Sequence, residues 1–321
     1  MGFRVVGVGE VLWDLLLTGP QLGGAPANFA YHAHALEAEA RVITRVGKDD
    51  YGREIIRRFQ EMGLPDATVQ VDETAPTGTA KVELSGVGLA HFTIQENVAW
   101  DYVALTEAAL AAARAADAIC FGSLAQRSEP SRSTIQQLVA AAPAGALRVF
   151  DINLRQQFYS RSVIEDSLRL ANVLKLNDDE LPILAEMFNL IGADTPVDTD
   201  GQFAAHTRIG VSALYKIERQ IEGLAQAFSL QVVALTRGAK GSLLWQEGRW
   251  SDCSSRPVKV VDTVGAGDSF TAALVLGLLG RVGLDEINTL ANDVARFVCS
   301  YAGATPALPI EFAKRLSVAP R

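Results

Sequence analysis

The nine residues Asp262-Thr263-Val264-Gly265-Ala266-Gly267-Asp268-Ser269-Phe270 are the stretch of this chain best suited to chemistry. Two glycines around a small alanine let the main chain turn sharply, and such a turn aims successive N–H groups at one point. The apolar run from Phe270 to Leu279 reads as a helix. Its first N–H groups lack intrahelical acceptors and sit at the positive end of the helix dipole. Gly265, Ala266, Gly267 and Asp268 therefore predict an anion cradle. Asp268 places a carboxylate where a phosphate would lie. It either caps the helix or acts as a base beside a bound phosphoryl group, and this stretch alone does not choose.

The segments around the cradle must hold it in place. Pro257 to Val261, just before it, reads as a strand, as does Phe3 to Val8 at the start of the chain. Gly7 and Gly9 open a pattern like a dinucleotide fingerprint, but Leu12 stands where the third glycine belongs, so an oxidoreductase reading is weak. Val11 to Leu17 is apolar except for Asp14, which lies on a solvated face or points into a polar pocket. Gly23-Gly24-Ala25-Pro26-Ala27-Asn28 leads into a helix, Phe29 to Leu36, with Pro26 suited to its first turn. A strand (Arg41 to Val46), a helix (Arg53 to Met62) and a short strand (Val69 to Val71) follow. Thr77 to Leu84 and Ala90 to Gln95, joined around Gly86-Val87-Gly88, form a hairpin pattern that interrupts the alternation and must pack on something.

From Thr106 onward helices (108–115, 131–141, 162–170) alternate with strands (118–121, 148–152, 173–175), which predicts a parallel sheet covered on both faces. Ligands in such sheets sit beyond the carboxyl ends of strands. Three polar groups fall there: Asp151-Ile152-Asn153-Leu154-Arg155, Asn177-Asp178-Asp179-Glu180, and Thr236-Arg237-Gly238-Ala239-Lys240-Gly241. The second also reads as a helix N-cap with an acidic first turn. Gly192 to Thr207 reads as an exposed loop. Leu243 to Trp245 and Arg249 to Ser251 read as a hairpin. Glu286 to Tyr301 reads as a helix carrying the polar Asn292.

Composition narrows the classes. The chain has 321 residues, 49% of them hydrophobic, enough for one large domain spanning 1–321. A formal net charge of -8 argues against nucleic acid or an anionic membrane as partner. The three cysteines, odd in number and widely spaced, fit a reducing cytoplasm. No apolar run reaches the roughly 20 residues a membrane helix needs.

The string Asp-Thr-Val-Gly-Ala-Gly-Asp resembles the D-T-x-G-A-G-D signature of the PfkB, or ribokinase-type, carbohydrate kinases, and D-x-N-x-R at 151–155 resembles their fructokinase and ketodeoxygluconate kinase branches. The resemblance covers roughly residues 3 to 309, with 192 to 207 as the main departure. It implies a three-layer α/β/α core with a mainly parallel sheet, plus a small β lid built from strands within about 11–17 and 77–97. It implies transfer of the ATP γ-phosphoryl group to a sugar hydroxyl, D-fructose to fructose 6-phosphate first, with ribose or ketodeoxygluconate as other acceptors. Asp268 is then the general base and the backbone of Gly265 to Asp268 the anion hole. The helix dipole is expected to depress the Asp268 pKa.

By the same resemblance the sugar contacts are Asp14, Gly23, Gly24, Asn28 and Arg155, with Phe92 and Gln95 facing the sugar or the sheet core. Asn177, Thr236, Gly238, Gly241 and Asn292 line the nucleotide, and Glu180 organises Mg²⁺ through water. Asp262 belongs to a monovalent-cation site, but Ala307 stands near a position where the family has a serine ligand, which argues against potassium dependence. The lid implies pairing with a second copy. A non-catalytic sensor on the same fold is the other class the residues allow.

Overall fold

The computed structural model describes residues 2–16, 19–84, 90–190 and 205–317. In chain order the elements are strands β1 (Arg4–Val8), β2 (Leu12–Leu16) and β3 (Gly19–Gly23), helix α1 (Ala25–Ala35), β4 (Glu39–Gly47), α2 (Asp50–Glu61), β5 (Val69–Asp72), β6 (Gly78–Leu84) and β7 (Ala90–Ile94). Then come α3 (Glu107–Arg114), β8 (Ala118–Phe121), α4 (Glu129–Ala141), β9 (Leu147–Asp151), α5 (Arg161–Leu170), β10 (Val173–Asn177), α6 (Glu180–Met187) and α7 (Ala205–Phe228). The last are β11 (Val232–Thr236), β12 (Ser242–Gln246), β13 (Arg249–Cys253), α8 (Ala266–Leu279), α9 (Leu284–Cys299) and α10 (Ile310–Ser317).

The large sheet has the order β13-β12-β11-β10-β9-β8-β1-β4-β5. It is parallel from β11 to β5, and β12 and β13 add an antiparallel edge. Its central strands are near-continuous apolar runs because both faces are covered. On one face Phe29 of α1, Phe59 of α2, Phe270 of α8 and Ile287 of α9 pack together. On the other, Ala109, Ile135, Ile164, Leu181 and Ile221 of α3 to α7 form a second core. Helix α8 is buried from Ser269 to Gly277, sandwiched between α1 and α9, which explains why its sequence is apolar all round.

The small sheet has the order β3-β2-β6-β7. As expected, Val11 to Leu17 joins the hairpin: β2 pairs in parallel with β6, which pairs antiparallel with β7. Strand β3, Gly-Pro-Gln-Leu-Gly, is an addition that its composition conceals, since Gly and Pro mark turns or sheet edges. It lies at that edge and, among the described residues, pairs only with β2. The turn at Gly86-Val87-Gly88 and most of the 192–207 segment fall outside the described residues; 205–207 open α7.

One element differs from expectation. Pro257 to Val261 forms no strand; Val260 and Val261 are each 56% exposed, and the amides of Val261 and Asp262 bond the carbonyl of Cys299. A β-branched run without a neighbouring edge to pair with stays extended coil. No described helix is long and apolar enough to cross a membrane. All three cysteines are free.

Candidate active site

The cradle forms as the residue types require. Gly265 precedes α8 with φ 78°, and a Cβ there would lie 2.4 Å from the carbonyl oxygen of Ala304, so only glycine makes the turn. The amides of Gly265, Gly267 and Asp268 have no acceptor among the described residues, whereas that of Ala266 makes a long 3.3 Å bond to Thr263. The positive end of a fourteen-residue helix therefore presents three unengaged N–H groups beside one carboxylate.

Asp268 accepts a hydrogen bond of 2.8 Å from Nδ2 of Asn28, a contact between residues 240 positions apart. It is thus not a simple cap on its own helix. Its pKa corrects the expectation of a depressed value: it is pushed up to about 6, first by burial and then by Asp151. Asn28, Lys175 and Arg155 offset only part of this. Loss of water around the carboxylate outweighs the dipole.

Asn28 stands on the first turn of α1, directly after the glycine pair. A Cβ on Gly23 would meet the Asp14 carboxylate at 2.6 Å, and one on Gly24 the Glu10 carbonyl at 2.5 Å. The two glycines thus allow β3 and α1 to close over β2 and bring Asp14, Glu10 and Asn28 to one corner. Asp14 is raised to about 6 by burial, against the pull of Arg155. Arg155 also acts on Glu10 and Asp268, so one cation faces three carboxyl groups. Its own Nη1 bonds the carbonyl of Leu154. Gln95 accepts the Thr79 hydroxyl on the small sheet; the Phe92 side chain lies outside the described residues.

The strand ends supply the rest. Asn177 and Glu180 form a reciprocal capping box: Oδ1 of Asn177 accepts the amides of Asp179 and Glu180, and Oε2 of Glu180 accepts the amide of Asn177. Oε1 of Glu180 accepts the amide of Leu154, tying this turn to the Arg155 loop. Both oxygens keep a lone pair, which suits contact with a hydrated cation better than direct ligation. Among the described residues no three metal-ligating side chains cluster. Thr236 is the register partner of Asn177. Gly241, with φ 92°, would place a Cβ 1.9 Å from the Cys253 carbonyl, whereas Gly238 has open space around it. Nδ2 of Asn292 bonds Oγ of Ser242 at 2.6 Å within a network with Asn288 rather than facing solvent. Asp262 accepts the amides of Val264 and Gly303, which folds the cradle loop onto the segment after α9.

Sequence reading left three members of this group without a role: Glu10, Asp151 and Lys175. Glu10 is 3% exposed, its Oε2 has no partner, and its pKa is raised to about 7 by burial. Lys175 interrupts the apolar strand β10 and Asp151 ends β9, which were the available signals. Cavities of about 280 Å³ beside Arg249 and Arg281 and of about 490 Å³ beside Arg169 hold none of these residues. The site is defined by convergence at strand ends.

The chain is similar to known carbohydrate kinases. The model of the pfkB family carbohydrate kinases matches residues 19–311. The putative sugar kinase PH1459 of Pyrococcus horikoshii is 27% identical over 319 residues, covering 94% of this chain and 91% of the relative. The fructokinase of Escherichia coli is 28% identical over 326 residues, covering 96% and 97%. The crystal structure of PH1459 in complex with ATP superposes with a TM-score of 0.78 at 26% identity, covering 97% of this chain and 99% of that one.

Proposed function

Because this chain belongs to the pfkB family of carbohydrate kinases, we propose that it moves the γ-phosphoryl group of ATP onto a hydroxyl of a small sugar, D-fructose giving fructose 6-phosphate. The chain is a sugar kinase; the choice of fructose rests on relatives named fructokinase. The observation that carries the mechanism is the 2.8 Å bond from Asn28 to Asp268. It joins the glycine-pair segment that would seat the sugar to the carboxylate beside three unengaged amides.

In this reading Asp14, Asn28 and Arg155, with the backbone at Gly23 and Gly24, hold the sugar hydroxyls. Asp268 takes the proton of the attacking hydroxyl as the phosphorus–oxygen bond forms. With its pKa near 6 it is ionised at neutral pH yet basic enough to accept that proton. The amides of Gly265, Gly267 and Asp268 stabilise charge on the transferring oxygens. Thr236, Gly238, Gly241 and Asn292 line the nucleotide. Mg²⁺, when bound, would supply positive charge to the phosphates, and Asn177 and Glu180 would hold its waters. The reaction belongs in the cytoplasm, and the outer face of the small sheet would seat a second copy, which light scattering reads directly.

A panel of fructose, ribose and ketodeoxygluconate with MgATP, followed by ADP release, tests the reading. Fructose is expected to give the highest kcat/KM. Preference for another sugar corrects the acceptor alone, and no sugar-dependent ADP release from any small sugar defeats the assignment.

A further inference from the structure

Beneath the cradle lies a buried ion pair to which the mechanism above gives no task. Asp151 and Lys175 are register partners on β9 and β10, so both side chains leave the same face of the sheet, under the first turn of α8. Nζ of Lys175 is 3.0 Å from Oδ1 of Asp151, and each side chain is only 7% exposed. Removing two charges from water costs several kcal/mol per ion, and an apolar pair of similar size is commonly no less stable. Stability alone therefore does not account for the pair.

Its surroundings point upward to the cradle. Oδ2 of Asp151 bonds the Thr271 hydroxyl at 2.8 Å, and that hydroxyl lies 3.0 Å from the carbonyl oxygen of Gly267. Nζ of Lys175 lies 3.0 Å from where a Cβ on Gly267 would sit. The ammonium is thus packed against the backbone of a cradle residue whose own amide is unengaged. An ammonium has three donors. Asp151 takes one, and no other acceptor of Lys175 occurs among the described residues. A buried cation with unused donors, beside amides with unused donors, calls for an anion that all of them share. Asp151, Glu180 and Asp268 would by themselves repel such an anion, and Lys175 is the buried cation among them.

We propose that Lys175 is a ligand of the transferring phosphoryl group: held in place by Asp151, its ammonium donates to a non-bridging oxygen of the γ-phosphate alongside the amides of Gly267 and Asp268. This rests on the sugar-kinase reading and deepens it. The bond tightens as charge gathers on those oxygens, so Lys175 acts on turnover more than on sugar binding. It also fits the smallness of residue 267: a Cβ there would crowd the ammonium at 3.0 Å.

The test separates a phosphate ligand from a structural counter-ion. Lys175→Met removes the charge but strands Asp151, so the charge-balanced double variant Lys175→Met/Asp151→Asn is made beside it. Binding of MgATP and of MgADP is measured by calorimetry without sugar, and kcat with saturating sugar. The double variant is expected to unfold near the temperature of the unaltered chain and to bind MgADP within about threefold of it. Its preference for ATP over ADP should fall by about tenfold or more, the range of one charged hydrogen bond, and kcat by about 10²-fold. An unchanged ATP-to-ADP ratio, whether both affinities hold or both fall together, overturns the proposal and leaves the kinase reading intact. If the unaltered chain binds neither nucleotide, the kinase reading fails and this inference fails with it.

Discussion

Asn28→Leu removes the only side-chain donor to Asp268 among the described residues while keeping the volume of the site. Asp268 now titrates at about 6 because burial and Asp151 raise it and Asn28 opposes them. A hydrogen bond to a charged group contributes about 1.5–3 kcal/mol. At 1.36 kcal/mol per pKa unit, its loss should raise Asp268 by about one to two units. The base must be ionised to work, so activity is lost as pH falls through its pKa. The acidic limb of kcat should therefore lie near 6 in the unaltered chain and near about 7–8 in the variant. At pH 7 the ionised fraction drops from about nine-tenths to between about a half and a tenth, and raising the pH restores it. ADP release at saturating sugar and MgATP, from pH 5 to 9, reads this directly. A limb at the same pH in both proteins would refute the assignment of Asp268 as the titrating base and of Asn28 as the group that tunes it.

Asp268→Asn should cost about 10²–10⁴-fold in kcat and yet stabilise the ligand-free fold at pH 7.5. The folded pKa lies above the unfolded one, so stability falls as pH rises from about 4 to 6; the gain from removing the charge is ~1–2 kcal/mol after discounting for the partial exposure of residue 268. A lower melting temperature at pH 7.5 would show that the charge is well solvated there. Glu10→Gln follows the same sign: Glu10 is raised to about 7, so the variant should gain stability at pH 8 and none at pH 4, as thermal denaturation at the two pH values will show. Asp14→Ala should raise the KM for sugar at least about tenfold, the loss of one hydrogen bond to a charged group, and that for ATP little; the opposite pattern in steady-state kinetics would remove Asp14 from the sugar seat.

Much of this molecule is legible in its residues because two independent signals coincide there. The segments from β8 to β10 read well since apolar runs, helix caps and breakers agree on the same boundaries. The cradle reads well because its glycines answer to sterics: a Cβ at Gly265 has nowhere to go. Strand β3 was hidden because an edge position tolerates Gly and Pro, so its composition mimics a turn. Pro257 to Val261 misled in the opposite sense, having strand propensity but no partner edge, and pairing is a tertiary fact. The pKa of Asp268 was misjudged because the helix dipole is visible in sequence, whereas the burial of the carboxylate and, after it, the nearness of Asp151, 117 positions away, are not. Lys175 reads as a strand residue until the register with Asp151 and the contact with Gly267 are known.

The clasp between Asn28 and Asp268 also bears on what happens when no acceptor is present. A carboxylate waiting beside bound ATP is poised to activate any passing water molecule and so to hydrolyse the nucleotide to no purpose. With the seat empty, one carboxylate oxygen is engaged by the Asn28 amide, so a water competes with that amide for the carboxylate. On the proposed reading, thrift with the cell's nucleotide pool comes from this contact, and idle ATP breakdown without any acceptor, measured at about pH 9 where Asp268 is ionised in both proteins, should quicken once that amide is gone.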